Sequence, residues 1–208
     1  MRLAILLSGR GSNFRAIHDA IERRELNAEI ILVFSNRPDV AGISTAESLG
    51  LRAEVLDHRN YRTRAGHEAD LSKILEEVCP DYLVLAGYMR LLSPAFVERY
   101  RNRVLNIHPA LLPSFPGVDA QAQALAYGVK VSGCTVHLVD ESLDGGPVVV
   151  QREVPVHDDD TVATLSDRIL EQEHRAYVEA LQKLSGTWRI EGRRVVFAEE
   201  EKAPARFL

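Results

Sequence analysis

The chain has only two cysteines, Cys79 and Cys134, among 208 residues. That is too few for a disulfide framework, and they read as reduced thiols of a cytoplasmic protein. No stretch approaches the roughly 20 apolar residues that a membrane helix needs. The apolar opening, residues 3–7, is shorter than a signal-peptide core and runs straight into a glycine loop. A basic stripe is also missing. The chain carries 25 Lys and Arg against 30 Asp and Glu, a formal charge of -5. A general nucleic-acid surface clusters cations to displace counterions, so none is expected here. The pairs Arg101 with Arg103 and Arg193 with Arg194 stand alone as solvated positions. No internal repeat or low-complexity linker divides the chain, and residues 1–208 read as one domain. His18, His58, His67 and His174 lack zinc-site spacing. The acidic run at 158–160 precedes a helical pattern, where carboxylates cap and complement the dipole, with Asp159 or Asp160 the expected cap. No metal is expected.

What the chain does contain is alternation. Apolar runs at 3–7, 30–34, 53–56, 82–86 and 104–107 are separated by helical periodicity at 14–24, 40–49, 68–78 and 94–100. The runs are apolar along their length, as in strands covered on both faces. The pattern predicts an α/β fold, a mostly parallel sheet wound with helices on both sides. After residue 107 the character changes. A proline-rich loop at 108–116 leads to a helix at 120–127 and β-rich runs at 131–139 and 148–156. A long amphipathic helix follows at 161–184, then a hairpin through Gly192 and a loose tail at 199–208.

Three motifs carry chemistry. The first strand ends in Ser8-Gly9-Arg10-Gly11-Ser12-Asn13 before a helix. Backbone N–H groups at a helix start bind anions, and glycine permits close approach. Phe14 stands where a dinucleotide loop needs its third glycine, Ser35-Asn36 where it needs an acid, and no lysine supports a triphosphate loop. A cradle for one phosphomonoester remains, beside the plainer reading of a structural turn. Second, Asn106 and His108 are two residues apart on the fifth strand, so both side chains share a face at the end where ligands of open sheets bind. An amide and an imidazole there can address one oxyanion. Third, Asp144 sits in the turn Leu143-Asp144-Gly145-Gly146-Pro147, where a carboxylate can hold a proton chain or favour an imidazolium. Thr135 and His137 precede it and can share its face.

In this order and spacing the motifs resemble the phosphoribosylglycinamide formyltransferases, over nearly the whole chain. Segments 33–36, 85–94 and 172–174 add to the likeness. The resemblance implies a Rossmann-like formyltransferase fold with a mononucleotide-binding half at 1–107 and a folate-site half at 108–198. It implies 10-formyltetrahydrofolate as one-carbon donor, the amine of phosphoribosylglycinamide as acceptor, small-molecule partners only, and a monomer or homodimer. Position by position, it makes Asn106, His108 and Asp144 catalytic. It gives Gly11, Ser12, Asn13, Phe14, Arg15 and Glu173 to the ribonucleotide. It gives Arg64, Met89, Arg90, Leu91, Leu92, Asn106, Asp140, Glu141, Ser142, Leu143 and Asp144 to the folate. Methionyl-tRNA formyltransferases and formyltetrahydrofolate deformylases share the trio. The expected basic extension of the first and leading regulatory segment of the second have no counterpart in the motif order here.

Overall fold

The computed structural model describes residues 1–198; the tail expected at 199–208 lies outside the described residues. The first half winds β1 (Arg2–Leu7), β2 (Glu29–Ser35), β3 (Ala53–Val55), β4 (Tyr82–Leu85) and β5 (Val104–His108) into a parallel sheet in the order β3-β2-β1-β4-β5. The linking helices are α1 (Ser12–Glu22), α2 (Ala41–Ser48), α3 (Arg64–Val78) and α4 (Pro94–Arg99). The unbroken apolar runs have a direct cause. In β1, Leu3, Ile5 and Leu7 join one buried cluster with Phe14 and Ile17 of α1. Ala4 and Leu6 join a second with Leu71 and Leu75 of α3. Each face of the strand is covered by a helix, so neither face tolerates a polar residue. Helix α3 begins four residues before the periodicity at 68 does. Thr63 Oγ1 accepts the Gly66 N–H at 3.1 Å and starts the helix there.

Strand order reverses at β1, with β2 on one side and β4 on the other. Connections diverge at such a point and leave a crevice at the carboxyl ends of the strands. Its two rims are tied together by the Ser8 N–H, which donates to the Gly87 carbonyl at 3.1 Å.

The second half extends the same sheet. Strand β6 (Val131–Leu138) pairs antiparallel with β5, and β7 (Val148–Pro155) pairs antiparallel with β6. The terminal hairpin of β8 (Trp188–Glu191) and β9 (Arg194–Phe197) turns through Gly192 and completes a nine-stranded sheet. The turn after β6 requires Gly146, because a Cβ there would stand 1.8 Å from the Leu138 carbonyl oxygen. Helix α5 (Ala120–Tyr127) leads into β6, and α6 (Val162–Leu184) packs its buried side chains into the cluster that covers β6 and β7. The cap of α6 is Thr161, not Asp159 or Asp160. Thr161 Oγ1 accepts the Thr164 N–H at 3.2 Å, and Thr164 Oγ1 accepts the Thr161 N–H at 3.0 Å. Asp160 is taken by Arg168, whose guanidinium donates at 2.7 and 2.8 Å and holds the carboxyl well below the usual carboxylate range.

Candidate active site

The register between β5 and β6 builds the centre of the site. Asn106 stands opposite His137, and His108 opposite Thr135. Residues directly opposite in an antiparallel pair share a face, so two pairs of polar side chains meet. His137 Nδ1 lies 3.1 Å from the Leu138 carbonyl, which can only accept, so Nδ1 carries the proton. Nε2 is then a lone pair, and it accepts an N–H of Asn106 Nδ2 at 3.2 Å. Burial pushes the His137 imidazole below its ordinary pKa, opposed by the Leu138 carbonyl and Asp144. The neutral ring this favours is the form that can accept from Asn106.

Asp144 reaches the same cluster from the β6–β7 turn, with a left-handed backbone at φ 49°. Asparagine and aspartate tolerate that region better than most residues. Its Oδ2 accepts the Gly117 N–H at 2.8 Å and lies 3.4 Å from His108 Nδ1. Its Oδ1 lies 3.8 Å from His137 Nε2. His108 is buried, and its Nε2 donates to the Phe115 carbonyl at 2.7 Å. The proline-rich loop thus touches the centre at both Phe115 and Gly117. Thr135 holds the root of that loop. Its hydroxyl donates to the Ala110 carbonyl at 2.7 Å and accepts from the Leu112 N–H and from Gln151 Nε2, each at 3.0 Å.

A second group forms where α1 starts. Gly11 precedes the helix in a left-handed conformation, φ 75°, and a Cβ there would come within 3.1 Å of Gly42 Cα. The first intrahelical bond runs from the Arg15 N–H to the Gly11 carbonyl. The N–H groups of Ser12, Asn13 and Phe14 therefore precede the ladder, and they face the crevice end of β1. Asn13 Nδ2 donates to Glu173 Oε2 at 2.8 Å, while Asn13 Oδ1 is buried without a partner. Glu173 is carried on α6 one turn before Tyr177, whose buried hydroxyl donates to the Leu85 carbonyl at 2.7 Å and fixes the helix over β4. Burial raises the Glu173 carboxyl above its ordinary range against the lowering effect of Asn13. The Phe14 side chain is fully buried core, so only its backbone can serve the cradle. The Arg15 side chain is exposed beside Asp19 and lines an outer groove with Ser12 and Arg175.

The third group flanks the crevice beyond β4. Met89 N–H donates to Ser8 Oγ at 2.8 Å, and Arg64 Nη1 donates to the Leu91 carbonyl at 3.3 Å. Met89 and Leu91 are 78% and 66% exposed, so two large apolar side chains stand in solvent here. Leu92 packs on the core, and Arg90 is half-buried. Across from them, Asp140 Oδ1 accepts the Ser142 N–H at 2.9 Å and shapes the turn. Leu143 lies over Gly117. Glu141 is exposed and lies toward Arg101.

The residues expected to be catalytic are thus brought to one place, and the spacing of Asn106 and His108 predicts their shared face. The connecting role of His137 and the anchoring role of Thr135 are not visible from local sequence. The one available signal is the alternation Thr135, His137 on a strand, and it becomes specific only through the register with β5. Among the described residues, no three His, Cys, Asp or Glu side chains are grouped to hold a metal ion.

The formyl transferase family model matches residues 1–181. Phosphoribosylglycinamide formyltransferase of Escherichia coli (strain K12) is 41% identical over 177 residues, 85% of this chain and 84% of that protein. The trifunctional purine biosynthetic protein adenosine-3 of Homo sapiens is 44% identical over 96% of this chain; the chain spans only 20% of that longer protein. The crystal structure of glycinamide ribonucleotide transformylase 1 from Symbiobacterium toebii superposes with a TM-score of 0.92 at 43% identity, covering 95% of this chain and 93% of that one. With the family model spanning most of its length and relatives of this identity along nearly all of it, the chain belongs to the formyl transferase family, alongside the phosphoribosylglycinamide formyltransferases.

Proposed function

We propose that this protein transfers the formyl group of 10-formyltetrahydrofolate to the amine of phosphoribosylglycinamide, a step of purine synthesis in the cytoplasm. The observation that carries the reading is the linked cluster of Asn106, His137, Asp144 and His108 at the end of β5 and β6. The ribonucleotide phosphate takes the N–H groups of Ser12, Asn13 and Phe14, and Glu173 takes a donor group of the same ligand. The folate lies against Arg64, Met89 to Leu92 and the 140–144 turn.

The nucleophile belongs to the substrate, so no serine or cysteine is needed. The amine attacks the formyl carbon and forms a tetrahedral oxyanion. The second N–H of Asn106 Nδ2 donates to that oxygen, while the first is held by His137. A donor of this kind contributes about 3 kcal/mol to the barrier. Asp144 accepts the proton released by the amine, directly or through water. His108 Nε2–H exchanges the Phe115 carbonyl for the reacting oxygen. Asp144 passes the amine's proton to His108 Nδ1, 3.4 Å from its Oδ2, and the imidazolium so formed delivers its Nε2 proton to the folate nitrogen as the carbon–nitrogen bond breaks. The products are the N-formyl ribonucleotide and tetrahydrofolate.

The test is a spectrophotometric assay with 10-formyl-dideazafolate, run with and without phosphoribosylglycinamide. Absorbance change that requires the ribonucleotide is expected. Donor breakdown without it would identify a hydrolase using the same trio, and no change in either case would leave a binding protein.

A further inference from the structure

The segment 89–92, between β4 and α4, is neither helix nor strand, yet both its ends are tied to buried polar groups that the reaction above does not use. At the first end, the Ser8 hydroxyl accepts the Met89 N–H at 2.8 Å and donates to Asn36 Oδ1 at 2.5 Å. Asn36 thereby fixes the hydroxyl proton, and with it the direction of the lone pair that receives Met89. Asn36 is itself held. It is 2% exposed, and its carbonyl accepts the His58 N–H at 3.1 Å and the His58 Nδ1–H at 2.8 Å.

At the other end, Ser93 caps α4, its Oγ accepting the Phe96 N–H at 3.2 Å. In a capping box the third helical residue returns a carboxyl or amide oxygen to the N–H of the cap. That residue here is Phe96, which has no acceptor to offer. Glu68 takes the role from α3. Its Oε1 accepts the Ser93 N–H at 2.8 Å, and its Oε2 accepts the Ser93 hydroxyl. Glu68 is 6% exposed, and a carboxylate is costly to bury unless it serves such partners. Between the two anchors, the N–H groups of Arg90, Leu91 and Leu92 and the carbonyls of Arg90 and Leu92 have no partner within the protein, among the described residues.

We infer that Asn36 and Glu68 are positioning residues which, acting through Ser8 and Ser93, hold segment 89–92 in its donor-binding shape before the donor arrives. The identity of the ligand rests on the formyl-transfer reading; the clamp is a property of the free protein. A segment ordered beforehand loses little conformational entropy on binding, whereas a loose one has to be ordered by the ligand. That cost falls equally on the ground state and the transition state, so it is read in KM rather than kcat.

The experiment compares the wild type with Asn36→Leu and Glu68→Ala, and with Asn36→Asp and Glu68→Gln, which each keep an acceptor. Steady-state kinetics with 10-formyl-dideazafolate is joined to calorimetric binding of the deformylated compound and to amide exchange at Met89 and Ser93. Asn36→Leu and Glu68→Ala should each raise the donor KM and Kd about five- to thirtyfold, as for one lost buried anchor. The kcat and the ribonucleotide KM should stay within about twofold. Asn36→Asp and Glu68→Gln should recover most of the affinity. Exchange should be faster at Met89 in Asn36→Leu and at Ser93 in Glu68→Ala, and the bound compound should slow it again. The two anchors lie on different elements, so either one tests the clamp if the other variant does not fold. Unchanged donor KM and Kd would overturn the inference, as would a loss confined to kcat or shared equally by the ribonucleotide KM. Failure of the wild type to bind the deformylated compound would remove the formyl-transfer reading. Faster exchange in the variants would then still establish the clamp, and unaltered exchange would remove it as well.

Discussion

The amide nitrogen of Asn106 and Nε2 of His137 stand 3.2 Å apart, and the Leu138 carbonyl on the far side of the ring sets which of them donates. Asn106 cannot flip without losing that bond, so its remaining N–H has a fixed direction. His137→Phe keeps the ring and removes the acceptor. It is expected to lower kcat about ten- to a hundredfold with little change in either KM, since misaiming an oxyanion donor costs part of its contribution. His137→Gln, which restores an acceptor, should recover part of the loss. Equal kcat for His137→Phe and the wild type would remove His137 from the site.

Asp144→Asn tests the carboxylate without disturbing the backbone, because asparagine also accepts the φ of 49° found there. The prediction is a loss of about 10²- to 10⁴-fold in kcat with unchanged melting temperature. Asp144→Ala should lose activity and, in addition, stability, since the Gly117 N–H then lacks its 2.8 Å acceptor.

Thr135→Val is close in shape but deletes a hydroxyl that serves Ala110, Leu112 and Gln151. About 1–3 kcal/mol of stability should be lost, because buried partners are left unsatisfied. The loop that carries Phe115 and Gly117 should also exchange its amide hydrogens faster. A variant as stable as the wild type, with unaltered exchange in the loop, would show that the anchor is redundant.

Glu173 holds its proton more tightly in the fold than outside it, chiefly through burial. Its favourable contribution is complete below the unfolded carboxyl value, near 4.5, and is lost as pH rises through the higher folded value. At pH 7, therefore, Glu173→Gln should raise the melting temperature while raising the KM for the ribonucleotide. The stabilising effect should vanish near pH 4. A Glu173→Gln protein less stable than the wild type at pH 7 would show that Asn13 and its surroundings already compensate the charge.

Three histidines, His67, His137 and His174, are pushed below the ordinary value of 6.5, each mainly by burial. Above that pH both states are neutral and the contribution is constant. Below it the unfolded chain takes up protons that the fold resists, so stability falls as the pH drops toward the folded values. Denaturant unfolding at pH 7.5, 6.5 and 5.5 should show a plateau followed by a decline. Increasing stability from 6.5 to 5.5 in a Glu173→Gln background, which removes the opposing carboxyl contribution, would contradict the assignment of neutral buried rings.

Much of this protein is determined by local sequence. The continuous apolar strands demand helices on both faces, and helix α5 spans the residues its pattern predicts. Asn106 and His108 share a face because strand residues two apart always do. The glycines at 11 and 146 are required by a left-handed turn and by a carbonyl 1.8 Å from where a Cβ would sit. What tertiary structure decided is which distant groups complete these features. His137 finds Asn106 only because β6 runs antiparallel in one register; a shift by one residue would turn it to the other face. Asn13 and Glu173 are 160 positions apart and meet because Tyr177 pins α6 against β4. The helix at 162 is capped by Thr161 because its hydroxyl reaches the free N–H of Thr164, while Asp160 is drawn to Arg168 two turns along. Propensity and periodicity act over a few residues, whereas register, ion pairing and helix docking are settled by the packing of the whole sheet, and the site lies where they meet.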